Sequence, residues 1–331
     1  MPVRDRLLAA LVAVCWGVNF PATALALEHF PPLFMVALRF SLVALPALLF
    51  VPRPPVPVRW LVGVGLGIGL LQFAFLYLGM AAGMPSGLAS LVLQASAPFT
   101  VLLAGIWLHE KLSARQLTGV AVAVGGLAVI AVHRSQTAAW LPVVLTLCGA
   151  LGWAIGNVCS RRAKAPNGLH LTLWSAVVPP LPMLALALLV EGPDRIGRCL
   201  AGVAIAEALP AVLGLLYVVV VATLIGYGVW NSLLSRHPSN VVAPFSMLVP
   251  VVGVLASWLA FGEVLDPVEL LAGIFVISGV LFASRRPRPG VERERAGGEV
   301  AGAGPQPSVI GLTMSAMNSK ADSARNSPAT T

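Results

Sequence analysis

Gln94 sits near the middle of the run LASLVLQASAPFTVLLAG, Leu88 to Gly105, and Pro98 follows one helical turn later. An amide without a partner costs several kcal/mol in hydrocarbon, and Pro98 removes a backbone donor and crowds the Gln94 carbonyl. Ser90, Gln94 and Pro98 recur at four-residue steps, which puts them on one face of a helix. Ser246 and Pro250 repeat the last of those steps far along the chain. Trp16 and Asn19 share a face at i, i+3, with Pro21 beyond, and Trp153 and Asn157 share one at i, i+4. Gln72 follows the glycine series Gly63, Gly65, Gly67 and Gly69, while Thr223, Tyr227, Trp230 and Asn231 form one helical stripe.

Amides, hydroxyls and indoles of this kind bind and release a polar solute; they break no bonds. Aromatic faces such as Trp16, Trp153, Tyr227 and Trp230 also attract an ammonium group. Arg39, seven residues beyond Pro32, stands roughly 10 Å into its span. It has two candidate roles: binding a substrate carboxylate, or snorkelling to the surface and capping carbonyls of a neighbouring helix. Trp16, Asn19, Arg39, Gln72, Gln94, Trp153, Asn157, Tyr227, Trp230, Asn231 and Ser246 are therefore the candidate substrate-binding residues, and Pro98 and Pro250 the candidate helix bends.

The absences point the same way. No Asp or Glu is expected within a span, and the five histidines fall in loops or at span ends. No carboxylate pair, nucleophile motif or GxxxxGK[ST] phosphate loop converges, so neither an enzyme nor an ATP-driven pump is expected, and no cofactor. Cys15, Cys148, Cys159 and Cys199 have no metal-ligand spacing and read as packing residues.

The elements that must hold these groups are membrane helices. Of 331 residues, 58% are hydrophobic and 10% charged, with a mean hydropathy of +0.89; soluble domains carry about 25% charge. Runs near 20 apolar residues predict ten spans, at about 7–27, 32–51, 60–80, 87–108, 116–132, 140–159, 169–190, 208–232, 240–261 and 268–284. Arg4 and Arg6 before the first run and Ala24-Leu25-Ala26 after it mimic a signal peptide, but the run is too long for one.

With the N-terminus inside, the inner segments hold Arg4, Arg6, Arg53, Arg59, Lys111, Arg115, Arg161, Arg162, Lys164, Arg236, Arg285, Arg286 and Arg288. The outer loops hold only Arg134, Arg195 and Arg198. Both termini are thus expected in the cytoplasm. The net charge of +8 reports this topology: the bases are scattered over short loops, so nucleic acid is not an expected partner, whereas the lipid bilayer and a small-molecule substrate are.

The chain also repeats itself. Pro98, an apolar run, Glu110, Ser113 and Gly119 in the first half are matched by Pro250, an apolar run, Glu263, Asp266 and Gly273 in the second. Ser113 with Gln116 and Asp266 with Glu269 read as capping boxes. Five spans per copy is an odd number, so the copies enter the membrane from opposite sides. The fold class expected is all-α and integral to the membrane: ten helices as two inverted five-helix repeats, 1–133 and 134–285. A Gly-, Ala- and Arg-rich cytoplasmic tail without apolar period, 286–331, is expected to be disordered. Inverted repeats with a binding site between them are a recurring secondary-transporter design.

Trp16-Gly17-Val18-Asn19-Phe20, Leu38-Arg39-Phe40 and the proline-to-glutamate segments ending at Glu110 and Glu263 resemble the EamA family of the drug/metabolite transporter superfamily, over about residues 5–285. Longer runs at 30–50, 72–103, 221–234 and 242–253 are similar to bacterial O-acetylserine/cysteine exporters. The resemblance implies a bacterial inner-membrane exporter of cysteine-pathway metabolites working by alternating access. Other amino acids, drugs and nucleobase-like compounds remain alternative cargoes. A membrane enzyme on a lipid-linked substrate and a non-transporting sensor are the readings from other classes.

Overall fold

The computed structural model describes residues 1–110, 112–137, 140–237 and 239–284, and the expected tail, 286–331, lies outside them. Among the described residues there is no strand. The described residues form ten long helices: α1 Val3–Leu27, α2 Pro32–Phe50, α3 Val58–Ala81, α4 Ser86–Leu108, α5 Ala114–Thr137, α6 Leu141–Ala163, α7 Gly168–Val190, α8 Ala206–Arg236, α9 over 239–261 and α10 Pro267–Ser284. Nine are long and apolar enough to cross a bilayer, and α10 is a shorter apolar helix. A short amphipathic helix, Pro193–Gly202, lies between α7 and α8.

Local chemistry fixes the helix ends. Proline opens α2 and α10, where its missing N–H is not needed. Asn167 caps α7, its side chain accepting from the Leu169 and His170 amides. Both expected capping boxes form: the Ser113 N–H donates to Gln116 Oε1 at 2.9 Å, and the Asp266 N–H to Glu269 Oε2 at 3.3 Å. One expectation needs correction. Asp5 and Glu269 lie inside α1 and α10 and are buried, though both sit in the first turn. There an acid complements the helix dipole, and Asp5 also pairs with His237 at 2.6 Å.

The halves interleave rather than stand apart: α1 packs on α8 and α9, α2 on α7, α3 and α4 on α6, and α5 on α10. Small residues permit the closest approaches. At Gly67 of α3 an added Cβ would stand 2.5 Å from the Gly156 nitrogen of α6. Large apolar side chains also point outward, with Leu181 78% and Leu189 84% exposed, as a lipid-facing surface requires. Cys199 lies in the short helix outside the spans, buried in the apolar core, and that burial pushes its thiol pKa up.

Candidate functional site: a central polar cavity

Two helices break their α-geometry at matching places. In α4 the segment Leu93–Ala95 is a 3-10 turn carrying Gln94; in α9 the segment Ala243–Met247 is one carrying Ser246. Each lies just ahead of the repeat's proline, Pro98 or Pro250. A second matched pair is a π-helical stretch, Gly65–Leu71 in α3 and Tyr217–Ile225 in α8. A π-turn takes in an extra residue and turns the following side chains to a new direction. Gln72 follows the first stretch and Tyr227 the second.

These breaks surround a cavity of about 580 Å³. Trp16, Asn19, Arg39, Gln72, Gln94, Trp153, Asn157, Tyr227, Trp230, Asn231, Ser246 and Pro98 all line it; Pro250 does not. Pro250 instead presents its carbonyl to the Ser90 hydroxyl at 3.4 Å. Thr223 is likewise one layer behind the wall. It lies inside the π-helical stretch, so the α-helical stripe that joins it to Tyr227 in the sequence does not hold.

Along the bundle the lining runs from mid-depth to Gly119, Ser160, Thr172 and Ala283. Those four lie within about two turns of the helix ends on the side that carries the N-terminus. The cavity is therefore displaced toward that end.

Its most buried members are held by specific partners. Arg39 is 3% exposed. It donates to the Tyr77 hydroxyl at 2.6 Å and to Thr223 Oγ1 at 3.0 Å, and its guanidinium carbon lies 3.9 Å from the Phe73 ring centroid. It neither snorkels nor caps a helix. Asn157 donates to Thr100 Oγ1 at 3.2 Å and Asn231 to the Tyr227 carbonyl at 2.8 Å. Trp16 donates to the Ala222 carbonyl at 2.9 Å and stands 5.1 Å from both the Tyr227 and Trp230 rings. That carbonyl lies within the π-helical stretch, where the loosened ladder leaves acceptors for other donors.

Three cavity-lining polar groups are buried yet unpartnered among the described residues: Asn19 Oδ1, Gln72 Oε1 and Arg39 Nε. Each such group costs about 1–3 kcal/mol to leave unmade, and more for a charge, so each is suited to meeting a ligand. Among the described residues of the lining, Arg39 is the only lysine or arginine, and none is Asp or Glu. Its described residues supply hydrogen-bond acceptors, one cation and an aromatic wall, and among them no nucleophile is paired with a base.

Sequence reasoning passed over Phe73, Tyr77 and Thr100. Phe73 and Tyr77 read locally as two more apolar positions of α3, and only the folded contact with Arg39 reveals them. Thr100 likewise acquires its meaning from Asn157, on another helix.

The EamA-like transporter family model matches this chain twice, at residues 6–132 and 140–285. A relative named "Probable amino-acid metabolite efflux pump" from Salmonella typhimurium (strain LT2) is 43% identical over 85% of this chain and 94% of its own length. One of the same name from Escherichia coli (strain K12) is 40% identical over the same shares. A solved crystal structure superposes with a TM-score of 0.56 over 89% of this chain and 99% of its own, at 16% identity, a likeness that speaks to the fold alone. The double match, the relatives and the helical bundle agree: this chain belongs to the EamA-like transporter family.

Proposed function

We propose that this membrane transporter exports small zwitterionic amino-acid metabolites, of the O-acetylserine and cysteine type, from the cytoplasm by alternating access. The observation that carries the reading is the set of unpartnered buried groups around the cavity. Arg39 is suited to the carboxylate of such a substrate. Asn19 Oδ1 and Gln72 Oε1 are acceptors suited to its ammonium, beside the faces of Trp16, Tyr227 and Trp230. Gln94, Ser246, Trp153, Asn157 and Asn231 complete a wall against which a polar side chain can be read.

Charge favours the same class. With Arg39 as the lone ionic group among the described lining residues, the cavity attracts anionic and zwitterionic solutes and repels cationic ones. The excess of arginine and lysine at the N-terminal end supports placing that end in the cytoplasm of a bacterial inner membrane. The cavity then lies toward the side from which an exporter loads. The names of the two efflux-pump relatives support amino-acid metabolites as the cargo.

The test is uptake of labelled cysteine and O-acetylserine by purified protein in liposomes, with and without a pH gradient. Saturable uptake that a cationic amino acid does not compete away is expected. Absence of uptake of both by folded protein, with uptake of an organic cation instead, would overturn the reading.

A further inference from the structure

Beyond the cavity, at the end of the bundle opposite the N-terminus, an acid closes the contact between α4 and α9. The Glu263 carboxylate, in the connection from α9 to α10, accepts the Ser86 N–H at 3.2 Å, the Gly87 N–H at 3.0 Å and the Ser86 hydroxyl at 3.0 Å. The Ser86 hydroxyl also lies 2.8 Å from Ser257 Oγ, and an added Cβ at Gly87 would stand 3.4 Å from Val254 Cα. A carboxylate on the first amides of a helix that spans Ser86–Leu108 is a charge-assisted contact favoured by the helix dipole.

The inverted repeat writes the same parts at the other end. In the sequence Pro238-Ser239-Asn240 repeats Pro85-Ser86-Gly87, and Glu110 stands in the repeat where Glu263 stands. Even the residue before each acid matches in conformation, with φ +53° at His109 and +65° at Gly262. Yet Glu110 is exposed, and its carboxylate pairs with Arg161 of α6. One copy of the device is engaged and the other is not, and the cavity lies toward the end where it is not.

We propose that Glu263 and Glu110 are alternate gate latches. Glu263 on the Ser86 and Gly87 amides holds the far end shut while the cavity faces the N-terminal end. In the opposite state Glu110 leaves Arg161 for the amides of Ser239 and Asn240, and Glu263 releases α4. This rests on the alternating-access reading above. The Arg161 pair is a surface contact of small energy, so Glu110 can leave it readily.

The test reads the two faces of the membrane separately and needs no substrate. In the full chain with its four native cysteines replaced, Ala97→Cys places a reporter in the cavity wall. It is labelled with a membrane-impermeant charged thiol reagent in right-side-out and inside-out vesicles. Glu263→Gln is expected to raise the outside-to-inside labelling ratio about tenfold, the factor expected for one charge-assisted contact set. Ser86→Ala, which keeps the amides, is expected to move it less in the same direction. Glu110→Gln is expected to lower it. An unchanged ratio in both Glu263→Gln and Ser86→Ala, or a shift of Glu110→Gln in the same direction as Glu263→Gln, would overturn the proposal.

A Ser86→Cys/Ser257→Cys pair separates the two ideas, because the oxygens it replaces lie 2.8 Å apart and a disulfide locks that end. Undiminished substrate transport by the oxidised protein would remove alternating access itself. A lock that stops transport reversibly, with labelling ratios unmoved by Glu263→Gln and Ser86→Ala, would remove the latch alone.

Discussion

The Arg39 guanidinium reaches the Tyr77 hydroxyl at 2.6 Å, and no carboxylate accompanies them: among the described residues Arg39 forms no ion pair. A buried cation held by two hydroxyls and an aromatic face is positioned but not neutralised. Its charge stays available to a ligand.

Arg39→Lys keeps that charge but cannot span Tyr77 and Thr223 while presenting a third donor to the cavity. It is expected to raise the KM for a zwitterionic substrate about tenfold, the effect of losing roughly 1.4 kcal/mol of binding. Arg39→Leu is expected to abolish saturable uptake in liposomes. Full activity in the leucine variant would take Arg39 out of the site.

Gln94 behaves differently because it is half-buried, lines the cavity and has a side-chain amide with no hydrogen-bond partner among the described residues. An amide that holds nothing in the protein adds nothing to folding, so Gln94→Leu is expected to unfold within about 0.5 kcal/mol of the parent. Transport should nevertheless fall at least several-fold. Paired thermal unfolding in detergent and uptake in liposomes check this split; equal losses in both would mark Gln94 as a packing residue.

Much of this was readable from residue types alone, for a physical reason. Hydrocarbon contains no hydrogen-bond partners, so any polar residue at bilayer depth must face protein or a water-filled space. Gln72, Gln94, Asn19 and Asn157 therefore announce an interior surface without any knowledge of the fold. The capping box of Ser113 and Gln116 is equally local. What stayed hidden depends on register or on distant partners. The π-helical stretch Tyr217–Ile225 rotates Thr223 out of the lining, and the apolar run gives no sign of it. Tyr77 gains its role from Arg39, thirty-eight residues away, and Glu263 from Ser86, on another helix.

Glycine spacing in α3 offers a test of packing. An added Cβ at Gly67 would lie 2.5 Å from the Gly156 nitrogen and 2.9 Å from the Gly152 carbonyl oxygen, backbone atoms that cannot swing aside. Gly125 of α5 has nothing within 4 Å and is exposed. Gly67→Ala is expected to destabilise by about 2 kcal/mol or more through overpacking, whereas Gly125→Ala should be neutral or stabilise by about 0.5–1 kcal/mol. Thermal unfolding of both variants decides it, and a tolerated Gly67→Ala would mean that α3 and α6 separate more easily than their contact implies.

Glu191 provides the contrast that isolates capping from gating. Its carboxylate, at the end of α7, accepts the Leu33 N–H at 2.7 Å and the Phe34 N–H at 2.9 Å, which closes the first turn of α2 just as Glu263 closes that of α4. The two helices differ in their surroundings: α4 borders the cavity through Ser90, Gln94 and Pro98, whereas α2 reaches it only through Arg39. Glu191→Gln is expected to lower stability by about 0.5–2 kcal/mol, the usual range for a lost cap. At this chain length that is a fall of only about 1–3 °C in Tm. The labelling ratio of the Ala97→Cys reporter should stay at its parental value, because α2 packs on α7 and reaches the cavity only through Arg39. A ratio that moved as far as in Glu263→Gln would place α2 among the moving parts, and would mean that loosening either helix end is enough to shift the transporter between its states.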